Sequence, residues 1–391
     1  MIKKALYITS GFFTSFLCDK LLSKKKPSKS KSVFVSSGVV LFGVASAVAF
    51  HSKQSLFFSG GASIWTAIQA LRKANPTKAI SQDVSFSFKE ASVSIESLLS
   101  ENGITAPRVP QTLKVVMDVY TFNDNQIEIT RYFWKNAEID DARNGWVPAS
   151  VIKVFAAVSA LQRLSDLGFS ASTQVTFNDT GETLSISDLI NRTLIDSNNM
   201  TYNRLVQLAG HTQMSEMLDQ SFPNTELNKP YIIDEWRAHT QGNSTFDAPS
   251  ITIHDGEKNQ TLEQNTSRAP RICNGVSACT KLSELNSLMA RATLFKNLNI
   301  SDSLNQLLLS ALNAKKPRGA EFSNAIQSHV TKYAFTTFNK HGFNGDWYSQ
   351  TLVLLSENNQ AFVISAVGAK GDRTILNDVG RSIGELINKA F

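Results

Sequence analysis

The stretch Trp146-Val-Pro-Ala-Ser150-Val-Ile-Lys153-Val-Phe155 sets a serine and a lysine, three residues apart, into an otherwise apolar run. At the start of a helix, positions i and i+3 lie one turn apart on one face, so the ammonium can reach the hydroxyl. A hydroxyl attacks poorly near neutral pH unless a base takes its proton. A lysine partly removed from water, with its pKa lowered, can be that base. The helix N-terminus adds free backbone N–H groups that can stabilise an oxyanion. The tetrapeptide alone is common by chance, so its meaning depends on its surroundings.

Downstream, Ile152, Phe155, Ala156, Val158, Leu161 and Leu164 recur at helical spacing and stop before Gly168, which predicts one long helix. Further helices are expected at 185–194, 201–209, 214–219, 281–293 and 301–312, and a terminal one at 380–390. Ahead of the motif, 113–120 and 126–133 read as strands joined by a hairpin at Asn123-Asp124-Asn125. Three more strands are expected at 333–338, 348–356 and 361–367. Strands at both ends around a helical middle predict an α+β fold in three layers, with an antiparallel sheet, over residues 111–391.

Two further polar groups stand out. In Ile195-Asp-Ser197-Asn198-Asn199, a serine and an amide at i and i+2 of a connecting turn point into a common space. There the hydroxyl can pass a proton and the amide can hold a carbonyl; the same residues are also good helix caps. Asn339-Lys340-His341-Gly342 follows a strand-like run; its lysine offers a cation for a carboxylate, and its glycine lets a ligand approach the backbone. In isolation it reads as a hairpin turn with a solvated lysine.

Ser-x-x-Lys, then Ser-x-Asn, then Lys-x-Gly, in this order, is the triple of the penicillin-recognising serine enzymes. From about Thr112 to Phe391 the chain resembles a class A β-lactamase-like serine hydrolase, a group related to D-alanyl-D-alanine peptidases. The helix–turn–helix pattern of 184–208 is similar to the family's second motif in its setting. The resemblance implies that Ser150 is the acyl-forming nucleophile, Lys153 its proton partner and Ser197 a proton relay to the leaving nitrogen. It implies that Asn199 binds a substrate amide, that Lys340 pairs with a substrate carboxylate or tunes Ser197, and that Lys340, His341 and Gly342 form a substrate-binding edge. The oxyanion hole would join the Ser150 N–H to one from Asn344 or Gly345. The substrates implied are β-lactams or the D-alanyl-D-alanine ends of peptidoglycan peptides, with no metal and no organic cofactor.

Three positions depart from the pattern. Asn198 stands where the family has aspartate, and His341 where it has threonine or serine. Glu226-Leu227-Asn228 is present, but Asn224 occupies the place of the deacylating glutamate. Glu235 is the remaining candidate for that base. The resemblance therefore implies acylation more firmly than hydrolysis. The competing reading is a catalytically weak, membrane-bound module that binds cell-wall peptides.

The formal charge is +6 over 391 residues and the sequence pI about 9.1, a balance that can signal nucleic acid. Here the excess clusters at Lys20, Lys24, Lys25, Lys26, Lys29 and Lys31, between apolar segments, which reads as membrane topology. Residues 33–50 carry no charge and have the length of a transmembrane helix. Residues 5–18 read as a first span or a signal peptide's apolar part, and 55–71 as a third span or an interfacial helix. Residues 1–75 are thus expected to be a membrane region with one to three spans, and 76–110 a linker or stalk containing a short helix at 91–99. With the lysines cytoplasmic, the large domain is expected outside the membrane, periplasmic or extracellular, unless 55–71 crosses back. A polar insert at 237–272 reads as a long surface loop near the site. Cys273 and Cys279 flank a short loop and could form a disulfide there or remain free thiols. The six histidines have no ligand-like spacing, so no metal site is expected.

Overall fold

The computed structural model describes residues 85–123, 126–134, 146–222, 225, 247–263, 265–266, 278–295, 298–314 and 320–391. All belong to one compact unit. In chain order it contains strand β1 (Ser85–Glu90), helix α1 (Ile95–Glu101), β2 (Lys114–Phe122) and β3 (Gln126–Phe133). A 3₁₀ turn (Ala149–Ile152) then leads into α2 (Lys153–Asp166), followed by β4 (Gln174–Phe177), β5 (Glu182–Ser185), α3 (Ile186–Leu194), α4 (Asn199–Ala209) and α5 (His211–Ser221). Short strands follow: β6 (Asp247–Ala248), β7 (Ile251–Asp255), β8 (Lys258–Leu262) and β9 (Asn265–Thr266). The chain continues with α6 (Leu282–Ala290), α7 (Asp302–Asn313) and α8 (Glu321–His329), and closes with β10 (Phe335–Phe343), β11 (Trp347–Ser356), β12 (Gln360–Ala369) and α9 (Arg373–Ala390).

The main sheet runs β1-β3-β2-β12-β11-β10. Its central strands are apolar on both faces because both are covered, the pattern expected of a sheet between two helical layers. Val115, Met117 and Val119 of β2 and Phe362, Ile364 and Ala366 of β12 join Leu99 of α1, Phe322 of α8 and Ile383 of α9 in one buried cluster. On the opposite face Val116 and Val367 pack with Trp146 and Leu282. There the buried Asn286 of α6 donates to the carbonyls of Val116 and Val363 (3.3 and 3.0 Å), which pins that helix across β2 and β12. The layered α+β fold expected from the sequence is present.

Some details differ. From Ser85 on, the segment expected as a linker or stalk is part of the domain. β1 pairs in parallel with β3, so the sheet is mixed rather than antiparallel, and Ile95 and Leu99 of α1 lie in the core. The apolar alternation of Ser85-Phe-Ser-Phe88 belongs to that edge strand. The helix itself is anticipated, capped by Ser94, whose hydroxyl accepts from Ser97 N–H, and ending at Asn102 ahead of Gly103 at φ 66°. The described part of the insert is not a loop. Ile251 and Ile253 alternate with Thr252 and His254, and the hairpin β7–β8 extends β4 and β5 into a second sheet, β5-β4-β7-β8. The terminal helix begins at Arg373, earlier than its periodicity suggested.

No helix among the described residues is long and apolar enough to cross a membrane. The stretches 5–18, 33–50 and 55–71, the turn residues Asp124 and Asn125, and Asn224, Glu226-Leu227-Asn228, Glu235 and Cys273 lie outside the described residues. Cys279 is disulfide-bonded.

Candidate active site

The first motif sits where the chain turns into α2. Pro148, Ala149 and Ser150 enter a 3₁₀ turn, whose three-residue period places Ser150 and Lys153 on one face. Ala149 holds φ at 49°, a left-handed conformation that costs a residue with a Cβ and persists only where its surroundings enforce it. The surroundings are β10 and β11. Ser349 of β11, fully buried, donates its hydroxyl to the Pro148 carbonyl, which also accepts the Val151 N–H. Across the ladder from Ser349 lies Gly342, packed directly on the backbone of Ser150 and Val151. A Cβ at 342 would fall on the Ser150 nitrogen, and 2.9 Å from both Val151 N and Ser349 Oγ.

The second motif does two jobs at once. Asn198 caps α4, its side-chain oxygen accepting Thr201 N–H at 3.1 Å. An aspartate would make the same cap, so the departure at 198 leaves the turn intact. Ser197, at φ 58°, and Asn199, the first residue of α4, turn into the site. The helix that carries them is clamped from behind. Buried Arg204 donates to both carboxylate oxygens of Asp179 (2.9 and 2.8 Å) and to Thr180, while Arg163 of α2 caps the carbonyls of Leu208 and Ala209.

The third motif lies inside β10 rather than in a turn after it. The ladder with β11 continues through Phe343 opposite Tyr348, and the reversal falls at Gly345, whose φ of 95° suits glycine. Lys340 is fully buried. Its ammonium donates to the Ser197 hydroxyl and to the His341 carbonyl, each at 2.9 Å. Lys153, 3% exposed, donates to the Ser197 carbonyl, to Asn199 Oδ1 at 2.7 Å and, at 3.4 Å, to Ser197 Oγ. Two lysines from different layers thus converge on one hydroxyl. Burial lowers the Lys153 pKa to about 7, because removal from water disfavours its charged form.

These groups surround an open cleft of about 570 Å³. Ser150, Lys153, Ser197, Asn199, His341 and Gly342 all line it, so the residues expected from three distant parts of the sequence meet in one place. Tyr202, Phe343, Tyr348 and Arg373 line it too and were not anticipated. The N–H groups expected as second oxyanion donor, those of Asn344 and Gly345, are placed differently, although Asn344 lines the cleft. Asn344 N–H is committed to the Trp347 carbonyl across the turn, and Gly345 does not line the cleft. In an antiparallel ladder the pair beside a hydrogen-bonded pair turns its N–H groups outward. Phe343 is in that position on the edge strand, one residue past the glycine that touches Ser150. Its N–H therefore points away from β11, next to the glycine that touches Ser150. Among the described residues, no group of three or more His, Cys, Asp or Glu side chains could hold a metal ion.

The model of the β-lactamase enzyme family matches residues 135–391. The chain belongs to this family. As a β-lactamase-family protein it is a serine hydrolase of the penicillin-recognising type. Solved structures with a similar fold include TLA-1 extended-spectrum β-lactamase, at 13% identity and a TM-score of 0.50, covering 76% of this chain and 100% of that one. A structure of PBP-A aligns at 13% identity and 0.48 over 76% and 97% of the two chains. A β-lactamase from Burkholderia vietnamiensis aligns at 13% and 0.46 over 76% and 96%. No curated protein matches the sequence.

Proposed function

We propose that this β-lactamase-family protein is a membrane-anchored acyl-serine enzyme that reacts at Ser150 with β-lactams or with the D-alanyl-D-alanine ends of peptidoglycan peptides. The observation that carries the reading is the convergence of Lys153 and Lys340 on the Ser197 hydroxyl beside the Ser150 turn. With a pKa near 7, Lys153 is neutral in a large fraction of molecules at neutral pH and can take the Ser150 proton as Oγ attacks the carbonyl. The N–H groups of Ser150 and Phe343 face the oxygen on which negative charge develops. As the tetrahedral intermediate collapses, Ser197 gives its proton to the leaving nitrogen and regains one from Lys153. Lys340 supports the transient alkoxide, and Asn199 holds both the lysine and a substrate amide.

Asn224, in the place of the deacylating glutamate, favours a persistent acyl-enzyme over rapid β-lactam turnover. The lowered Lys153 pKa favours an active enzyme over the weak binding module. For localisation, the lysine cluster and the uncharged 33–50 favour an anchor within residues 1–75, and the disulfide at Cys279 favours an oxidising compartment outside the membrane. Labelling the full chain with a fluorescent penicillin tests the chemistry: the wild type should carry the label and Ser150→Ala should not. Equal labelling of both would refute Ser150 as nucleophile. Removing residues 1–75 should release the protein from the membrane fraction, and unchanged partitioning would refute the anchor.

A further inference from the structure

Three large apolar side chains are well exposed among the described residues, and one of them, Phe343 at 47%, lines the cleft. Its ring lies on that of Tyr348, its cross-strand partner, with centroids 4.5 Å apart and planes 20° from parallel. The Arg373 guanidinium sits 5.8 Å from the Tyr348 ring centre and is itself tied to Glu321. Phenyl and phenol thus form a stacked pair at the edge of the site, with the Arg373 guanidinium beside the phenol. An exposed aromatic ring gains nothing from water contact, and an edge strand carrying a polar residue at 343 would form the same ladder. Stacking on Tyr348 restrains the Phe343 ring beside the cleft, so a ligand finds the surface already ordered and loses little entropy in using it.

We propose that Phe343 and Tyr348 form a stacking subsite for a planar aromatic group carried by the acyl donor next to its scissile carbonyl. This rests on the acyl-serine reading above and narrows its substrates. The outward Phe343 N–H faces the developing oxyanion while the ring of the same residue receives the aromatic group, so the reacting carbonyl and the substrate ring are held by one residue. An aromatic stack contributes roughly two- to ten-fold beyond simple apolar burial.

The test uses two matched pairs of thioester acyl donors, each a phenyl compound against its cyclohexyl counterpart. One pair varies the acyl half and the other the leaving group. Acylation of the full chain is followed by thiol release. The wild type should prefer phenyl by about three- to ten-fold in at least one pair, Phe343→Leu should bring that ratio to about one, and Phe343→Trp should keep it. Equal rates for phenyl and cyclohexyl donors in both pairs would overturn the subsite while leaving the acyl-serine reading standing. If no donor acylates the wild type, the acyl-serine reading fails separately. The subsite is then judged on Ser150→Ala protein by NMR: upfield ring-proton shifts of the bound phenyl donor, lost in the Phe343→Leu double variant, support it, and unshifted ring protons overturn it.

Discussion

Gly342 of β10 and Ser150 are in direct backbone contact, so close that no side chain can stand at 342 without displacing the Ser150 amide. The contact joins the sheet edge to the turn that presents the nucleophile, and it fixes the distance between the two N–H groups assigned to the oxyanion. Gly342→Ala is therefore expected to lower the acylation rate by about a hundred-fold, the effect of a roughly 1 Å misplacement of reacting groups. The overpacking cost to stability is about 1–3 kcal/mol. Stopped-flow acylation beside a thermal melt checks both, and an unchanged rate would show that the contact does not set the geometry.

Ser349 acts on the same turn from below, through the Pro148 carbonyl. Ser349→Ala removes one buried hydrogen bond, worth about 1 kcal/mol of stability. If the bond holds Ala149 in its left-handed conformation, the acylation rate should fall about ten-fold or more, with substrate affinity nearly unchanged. A loss confined to affinity would contradict that role.

Lys153 supplies the pH dependence. Acylation should rise with pH through about 7 as its amine loses the proton, and Lys153→Arg, which stays charged, should be inactive. The effect on stability has a definite sign. The folded pKa lies below the unfolded one, so between about 7 and the ordinary lysine value the unfolded chain binds more protons, and wild-type stability rises with pH across that window. Lys153→Met should be the more stable protein below about pH 7, with an advantage that shrinks as pH rises towards 10. A stability difference that is flat with pH would show that the lysine is not held neutral by burial.

The three motifs were legible in the sequence because each is a short group of residues with its own chemistry. Their meeting place followed from their order. The end of the strand that carries Lys340 was not legible: Asn339 to Gly342 contain the polar and glycine residues of a turn, yet the ladder with β11 continues through them. Ser349 could not be found in the sequence, since a serine in an apolar strand gains its role from register alone. Nor could the place of β1: an edge strand pairing in parallel with β3 leaves the same alternating pattern as a free-standing segment. Asn198 shows the opposite case: it caps α4 as its residue type suggested, while Ser197 and Asn199 of the same turn line the cleft.

Because Ile95 and Leu99 lie in the core and β1 closes one edge of the sheet, the domain needs its leading segment. A chain beginning at residue 76 should fold and melt cooperatively. One beginning at 111 should be destabilised by several kcal/mol, since burying each such side chain contributes about 1.5–3 kcal/mol. Equal melting temperatures for the two would place the domain boundary after α1.

The crossing of α8 and α9 depends on two glycines, Gly380 against Phe322 and Ala325, and Gly384 against Ile326 and His329. A Cβ at Gly384 would come within 2.8 Å of the Ile326 carbonyl oxygen and 2.7 Å of His329 Cβ. Gly384→Ala is expected to cost about 1–3 kcal/mol in a denaturant titration, with the acylation rate per folded molecule unchanged. A neutral or stabilising effect would mean that the helices separate without cost.

The central claim is an acyl bond at Ser150. The most direct measurement is intact mass of the full chain after mixing with benzylpenicillin, followed over time and mapped by digestion. The account predicts a mass gain equal to one intact penicillin, on the peptide that contains Ser150, persisting for many minutes and absent in Ser150→Ala. An adduct on any other residue, or penicillin consumed by the Ser150→Ala protein as fast as by the wild type, would contradict it.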